Sequence, residues 1–151
     1  MTKPFELLRA TRTNILRAIE TLSDEQLNLT PAGFNNNIIW NVGHLVVTQQ
    51  VIFYRLSGLE LLVSKDWVDR YRRGTRPEQT ASTDEIAALK SQLMELIGVA
   101  EQDYQKGCFG TFQPYTVSYG AQLESIEDAM LFNNVHEGLH LGCILSLKKL
   151  V

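Results

Sequence analysis

Only three histidines occur in the 151 residues, and two of them, His136 and His140, stand four apart. On a helix, at about 100° per residue, that step leaves two side chains roughly 40° apart and one turn along the axis. Imidazole nitrogens so placed can converge on one ion, which histidine ligands approach to about 2.0–2.1 Å. An HxxxH pair alone is as often two ordinary surface or core histidines. The third, His44, lies in the most apolar stretch of the chain, flanked by Val42, Leu45 and Val46. A buried imidazole needs hydrogen-bond partners, and a lone one is usually a satisfied core residue. Here the other two histidines form a chelating pair on a separate segment, and facing helices of a bundle are where metal sites are built. The pattern predicts a three-histidine divalent-metal site with open coordination positions, unlike structural zinc, which is closed by four protein ligands. Such an ion lowers the pKa of bound water toward about 7 or binds a substrate sulfur as thiolate, and both uses need the same residues. Free histidine titrates near about 6.5, so histidine ligation predicts metal affinity falling below neutrality.

Two better-known patterns overlap these residues and fail. His136-Glu137-Gly138-Leu139-His140 matches the HExxH string of zinc peptidases. Cys143 and Ser146 stand where that class has its later glycine and third histidine, and no acid follows His140. Glu137 and His140 also form an ExxH element of di-iron bundles, but Asn41 occupies the acid's place before His44.

Other candidates have a plainer reading beside the chemical one. Glu137 is a candidate catalytic base or an orienting partner of a ligand, and equally a solvated helix residue or a member of a local ion pair. Cys143, three positions after His140, is a candidate fourth ligand but reads better as core packing, since free cysteine is among the most buried residue types. Asn133 reads as an orienting amide or an ordinary interhelical hydrogen bond, and Trp40 as core. Arg70, Arg72, Arg73 and Arg76, with Trp67 and Tyr71, read as an anion-binding lid or, preferably, a solvated loop.

Four helices must position these groups. Phe5, Leu8, Ile15, Leu16, Ile19 and Leu22 mark the first, with Thr2 and Pro4 at its start and a short capped turn at Ser23–Gln26 after it. The second begins at Asn35-Asn36-Asn37, runs to about Ser57 and stops at Gly58; its apolar residues cover more than one stripe, as in a central helix. Thr83 caps the third, which carries Ile86, Leu89, Leu93, Leu96, Ile97, Ala100 and Tyr104 and stops at Gly107. Ser125-Ile126-Glu127-Asp128 opens the fourth, which ends at Lys148-Lys149. Residues 60–82 and 107–122 are long connections; the second has room for a short extended pair but reads as a structured loop. The expected architecture is all-α, a four-helix bundle with two long loops, as a single domain over residues 1–151.

Composition agrees. Apolar residues make up 44%, enough for a core, and the net charge of −3 offers no basic footprint for nucleic acid. Two cysteines do not make a disulfide scaffold in a chain this long. The opening MTKPFELLRATRTN lacks the apolar run of a signal peptide. Ile38–Leu59 is broken by Asn41, His44, Thr48, Gln49, Gln50 and Arg55, so no membrane span is expected. The expected location is cytoplasmic.

The runs Ile39-Trp40-Asn41-Val42-Gly43-His44-Leu45 and His136-Glu137-Gly138-Leu139-His140-Leu141-Gly142 resemble the two signature segments of the DinB-like family (DinB/YfiT-like metalloenzymes). Helix order, the aromatic loop before the last helix and total length match as well. The resemblance implies a bundle in which His44, His136 and His140 ligate a divalent metal, commonly zinc, nickel or iron. It implies a homodimer and a small-molecule substrate, in some relatives a low-molecular-weight thiol such as bacillithiol or mycothiol. The expected function is a small-molecule metalloenzyme, either a thiol-dependent S-transferase or a metal-dependent hydrolase. The rival is a non-catalytic interaction or stress protein with a structural or adventitious metal.

Overall fold

The computed structural model describes residues 2–151 and is mostly helical. Helix α1 spans Lys3–Ile19, α2 Asp24–Asn28, α3 Ile38–Gln50, α4 Lys65–Tyr71, α5 Thr83–Gln105 and α6 Ile126–Leu147; strands β1 Tyr115–Thr116 and β2 Gln122–Leu123 pair antiparallel. Caps set several starts. Ser23 and Gln26 form a reciprocal capping box on α2, and Asn37 accepts from the Trp40 N–H at the head of α3. Ser82, not Thr83, caps α5, and Thr2 makes no side-chain cap.

Helices α1, α3, α5 and α6 form the bundle. The apolar core has two halves. Ile15 and Ile19 of α1 share one with Ile38–Val47, Ile86–Leu96 and Ile144–Leu147; Phe5 and Leu8 share the other with Ile52–Tyr54, Ile97, Ala100 and Ile126–Met130. This assignment makes α1 and α6 parallel, with α3 and α5 running against them. Parallel α3 and α5 need a connection that climbs back along the bundle, which explains the length of residues 60–82. Two expectations are corrected by the connections. Residues 60–82 are not wholly loop, because Ser64 caps the two-turn α4. Residues 107–122 carry β1 and begin the hairpin that β2 closes, an extended pair of the kind the sequence left room for. The second predicted helix also changes character before Ser57: a π-helical turn, Val51–Arg55, follows α3, and Gly58 at φ 73° ends it.

Between the core halves lies a polar layer. Arg12 of α1 is fully buried, at 0% exposure, as are Gln49 of α3 and Asn133 and Glu137 of α6. Arg12 Nε and Nη2 donate to Glu137 Oε1 at 3.0 and 2.5 Å, Nη1 donates to the Leu93 carbonyl at 2.7 Å, and Nη2 also reaches the Leu45 carbonyl at 3.4 Å. One guanidinium therefore ties α1 to α3, α5 and α6. A buried charge is tolerable only when paired and hydrogen-bonded, and arginine does not shed its proton.

Replacing Arg12 by methionine strands the Glu137 carboxyl in the core and is expected to cost about 3–5 kcal/mol in denaturant unfolding. The double variant Arg12→Met, Glu137→Leu is expected to recover most of that loss. A single-variant cost below about 1 kcal/mol would show that the pair does not hold the helices together.

Candidate metal centre

The cluster is built from α3 and α6. Along α3 and its π turn, His44, Thr48, Val51 and Arg55 follow at four-, three- and four-residue steps and share a face. On α6, His136 and His140 share another. The structure brings the three predicted histidines together: one ligand atom from each lies within 4.8 Å of the others, and among the described residues this is the group of histidine, cysteine or acidic side chains that could hold a metal. His44 Nε2 and His136 Nε2 are 3.2 Å apart. Two ligands about 2.05 Å from one ion at a tetrahedral angle are separated by about 3.3 Å, so this pair already has the spacing an ion requires.

The outward nitrogens determine which lone pairs face inward. His44 Nδ1 lies 2.7 Å from the Tyr71 carbonyl, which can only accept, so Nδ1 carries the proton and Nε2 is bare. His140 Nδ1 lies 2.7 Å from Asn41 Oδ1. The Asn41 amide nitrogen donates to the Asn37 carbonyl at 2.7 Å, which turns its oxygen toward His140. Such outer partners fix the tautomer and raise ligand basicity. His136 Nδ1 is buried without a protein partner, so a Nε2–H donated from His136 to His44 would leave a bare nitrogen in the core. With the proton on Nδ1 instead, two bare Nε2 atoms face each other at 3.2 Å; a cation between them relieves that lone-pair repulsion, and the neutral nitrogen donor set suits a divalent transition metal.

Packing holds His44 on its other sides. Trp40 stacks on its ring, with centroids 4.8 Å apart and planes 9° from parallel, and is anchored by Nε1 donating to Thr75 Oγ1 at 3.1 Å. Trp40 is thus core, as expected, and also one wall of the site. Gly43 explains the Gly-His pair: a Cβ there would sit 2.5 Å from the Tyr71 ring, so only glycine lets α4 approach closely enough for the Tyr71 carbonyl to meet His44. Thr48 Oγ1, 3.4 Å from His44 Nε2, is a further polar group at the ion position.

The remaining candidates disperse. Glu137 is turned away from the cluster, with Oε1 taken by Arg12 and, at 3.3 Å, by the Asn133 amide. Burial pushes its carboxyl up, and Arg12 and Asn133 pull it back. The Asn133 hydrogen bond lies within α6 rather than between helices. Cys143, expected in the core, is exposed; it follows the two histidines along their side of α6, beyond the turns that α3 covers. Arg70 donates to Glu85 at 2.7 Å and lies near Asp66. Sequence reasoning missed Arg12, Asn41, Thr48 and the Tyr71 carbonyl. Asn41 and Thr48, one helical turn either side of His44, carried a signal in their spacing; the others did not.

The histidines open on a cleft of about 190 Å³, into which His44 and His136 project. Its far wall is the hairpin, through Tyr115, Val117 and Ser118. The preceding loop is fixed to the end of the π turn by the Gln113 N–H donating to the Leu56 carbonyl and Thr111 Oγ1 to the Ser57 carbonyl.

The sequence model of the DinB superfamily matches residues 7–144, which covers both histidine segments, the whole of α3 and α5 and most of α1 and α6. No curated protein is matched by the chain. Among the described residues no helix is long and apolar enough to cross a membrane.

Burial keeps the rings neutral. Desolvation, then the neighbouring His140, His44 and Arg12 charges, push His136 down to about 3; desolvation and His44 push His140 down to about 4. Desolvation also lowers His44, opposed by its bond to the Tyr71 carbonyl. The fall in metal affinity expected below neutrality is thereby displaced to lower pH. For the metal-free protein the sign follows from linkage. Below about 6.5 the unfolded chain protonates these imidazoles while the folded chain does not, so stability is complete above about 6.5 and drains as pH falls toward 4 and 3. Denaturant unfolding from about pH 7 to about pH 4 checks this. The variant His136→Asn, His140→Asn is expected to flatten the decline, and an unchanged slope would assign it to other groups.

Proposed function

The chain belongs to the DinB superfamily, and we propose that it is a small-molecule metalloenzyme in which His44, His136 and His140 hold one divalent ion, zinc, nickel or iron. The observation that carries this reading is the inward convergence of the nitrogens, with His44 and His140 each pinned from behind by an acceptor. Bound there, the ion supplies Lewis acidity to a water or a substrate sulfur at its open positions. The reaction class is thiol-dependent S-transfer from a low-molecular-weight thiol, or hydrolysis.

The cleft favours catalysis over a structural or adventitious ion, because three protein ligands beside a cavity leave room for substrate. The chain's own residues divide the work. Tyr71 and Asn41 orient two imidazoles, Trp40 excludes water from one side of His44, and Thr48 is placed to hydrogen-bond a group on the ion. Glu137 serves Arg12 and the bundle in this reading, rather than acting as the catalytic base. Two exposed free cysteines, Cys108 and Cys143, suit the reducing cytoplasm.

The partner is a second copy. Leu131, Val135, Leu139 and Leu145 are all exposed on one side of α6, and Gly138 and Gly142 between them have open space beyond their backbones. An apolar ridge with small residues at its centre suits close packing against an identical helix about a two-fold axis.

Metal titration tests the site. The wild-type chain is expected to bind one equivalent. His44→Ala is expected to weaken binding by at least about 100-fold and Asn41→Ala by about 10–100-fold; unchanged occupancy in His44→Ala would remove that residue from the site. Sedimentation tests the assembly. The 17.1 kDa chain is expected to run as a dimer and Val135→Glu as a monomer, and a monomeric wild type at micromolar concentration would dismiss the α6 interface.

A further inference from the structure

We propose that the cleft beside the histidines takes a small amphipathic anion, with an apolar body in the cavity and a carboxylate or phosphate held at the mouth by Arg55, Arg72 and Arg73. The inference rests on the proposed metal site only for what the far end of that molecule meets.

The argument begins with charge. The chain carries a net charge of −3, yet the residues lining the cleft include three arginines and no aspartate or glutamate. Arg55 comes from the π turn, and Arg72 and Arg73 from the turn after α4, so separate segments bring these cations to one opening. Their neighbours show the usual alternative. Arg9 pairs with Glu101, Arg12 with Glu137, and Arg70 with Glu85 and Asp66. Among the described residues Arg55 and Arg73 have no ion pair. The acid whose charge reaches Arg72 is Asp69, whose carboxylate already accepts from Lys65. Three cations gathered with no acid of their own but the shared Asp69 repel one another, and an anion between them converts that cost into binding. A divalent ion on the histidines would add to the same positive field.

The cavity supplies the second half. Val51, Ile52, Val68, Val117 and Phe132 make its walls apolar, and a volume of about 190 Å³ falls below the roughly 300–1,000 Å³ of sites for drug-sized ligands. The occupant is therefore a short aliphatic or single-ring acid. Its charged end sits on the guanidinium groups, and its other end is directed at the histidines. Tyr115, Ser118 and Thr48, each with a hydroxyl, also line the cleft. Of the four arginines that the sequence grouped as lid or solvated loop, Arg73 lines this cleft, Arg72 lines both it and a separate opening, Arg70 is neutralised by acids, and Arg76 lines the separate opening alone.

The test uses the full chain, metal-free and loaded with one equivalent of zinc, and follows binding by calorimetry and by amide shifts around Val117 and Phe132. The probes are phenylacetate, its neutral isostere phenylacetamide, and acetate. Phenylacetate is expected to bind both forms at least tenfold more tightly than either comparison ligand, and to weaken as salt rises. Arg55→Gln, Arg73→Gln is expected to lower phenylacetate affinity at least tenfold while zinc stoichiometry and melting temperature stay unchanged. Equal binding of acid and amide, equal binding of acetate, or full phenylacetate affinity in the arginine variant would each overturn the proposal. So would the absence of phenylacetate binding to the metal-free chain. Phenylacetate binding to metal-free protein that takes up no zinc would retain this inference while the metal reading fell.

Discussion

A permanently charged guanidinium in the middle of a helical bundle imposes the strictest condition in this molecule. Arg12 has water on no side, so every donor needs a protein acceptor, and the acceptors come from all three neighbouring bundle helices. The core divides into two apolar halves around it. The consequence for the site is rotational. Glu137 must face α1 to meet Arg12, and its neighbour His136 lies about 100° around the same helix, which turns His136 and His140 toward α3. The buried ion pair and the histidine cluster are thus two readings of one helix orientation.

The cluster is then tuned from outside by groups that touch no ion. A backbone carbonyl of α4 and an asparagine of α3 take the protons of two outward nitrogens, leaving lone pairs directed inward. Burial does the rest by disfavouring imidazolium in all three rings. A ligand set that stays neutral at physiological pH has few protons to displace before it can coordinate. Close approach makes this possible: Gly43 admits the Tyr71 ring, and Tyr71 is fixed in turn by its hydroxyl donating to Glu85 of α5 at 2.7 Å. The segment between α3 and α5 therefore does more than return the chain to the far end of the bundle. Its helix carries the residue that sets the His44 tautomer.

Three histidines on two periodic segments, with caps at Ser23, Asn37 and Ser125, were legible because each is a local matter. Four-residue spacing places side chains on one helix face whatever the helix packs against, and a cap satisfies N–H groups within its own turn. The bundle class and the two histidine segments followed from that. The parallel order of α3 and α5, the layer around Arg12, the carbonyl behind His44 and the exposure of Cys143 came from tertiary structure alone. Each depends on which helices become neighbours and at what rotation, and a backbone carbonyl leaves no trace in residue identity. An arginine in an amphipathic helix looks solvated until another helix, 125 positions along the chain, presents the glutamate that makes burial tolerable.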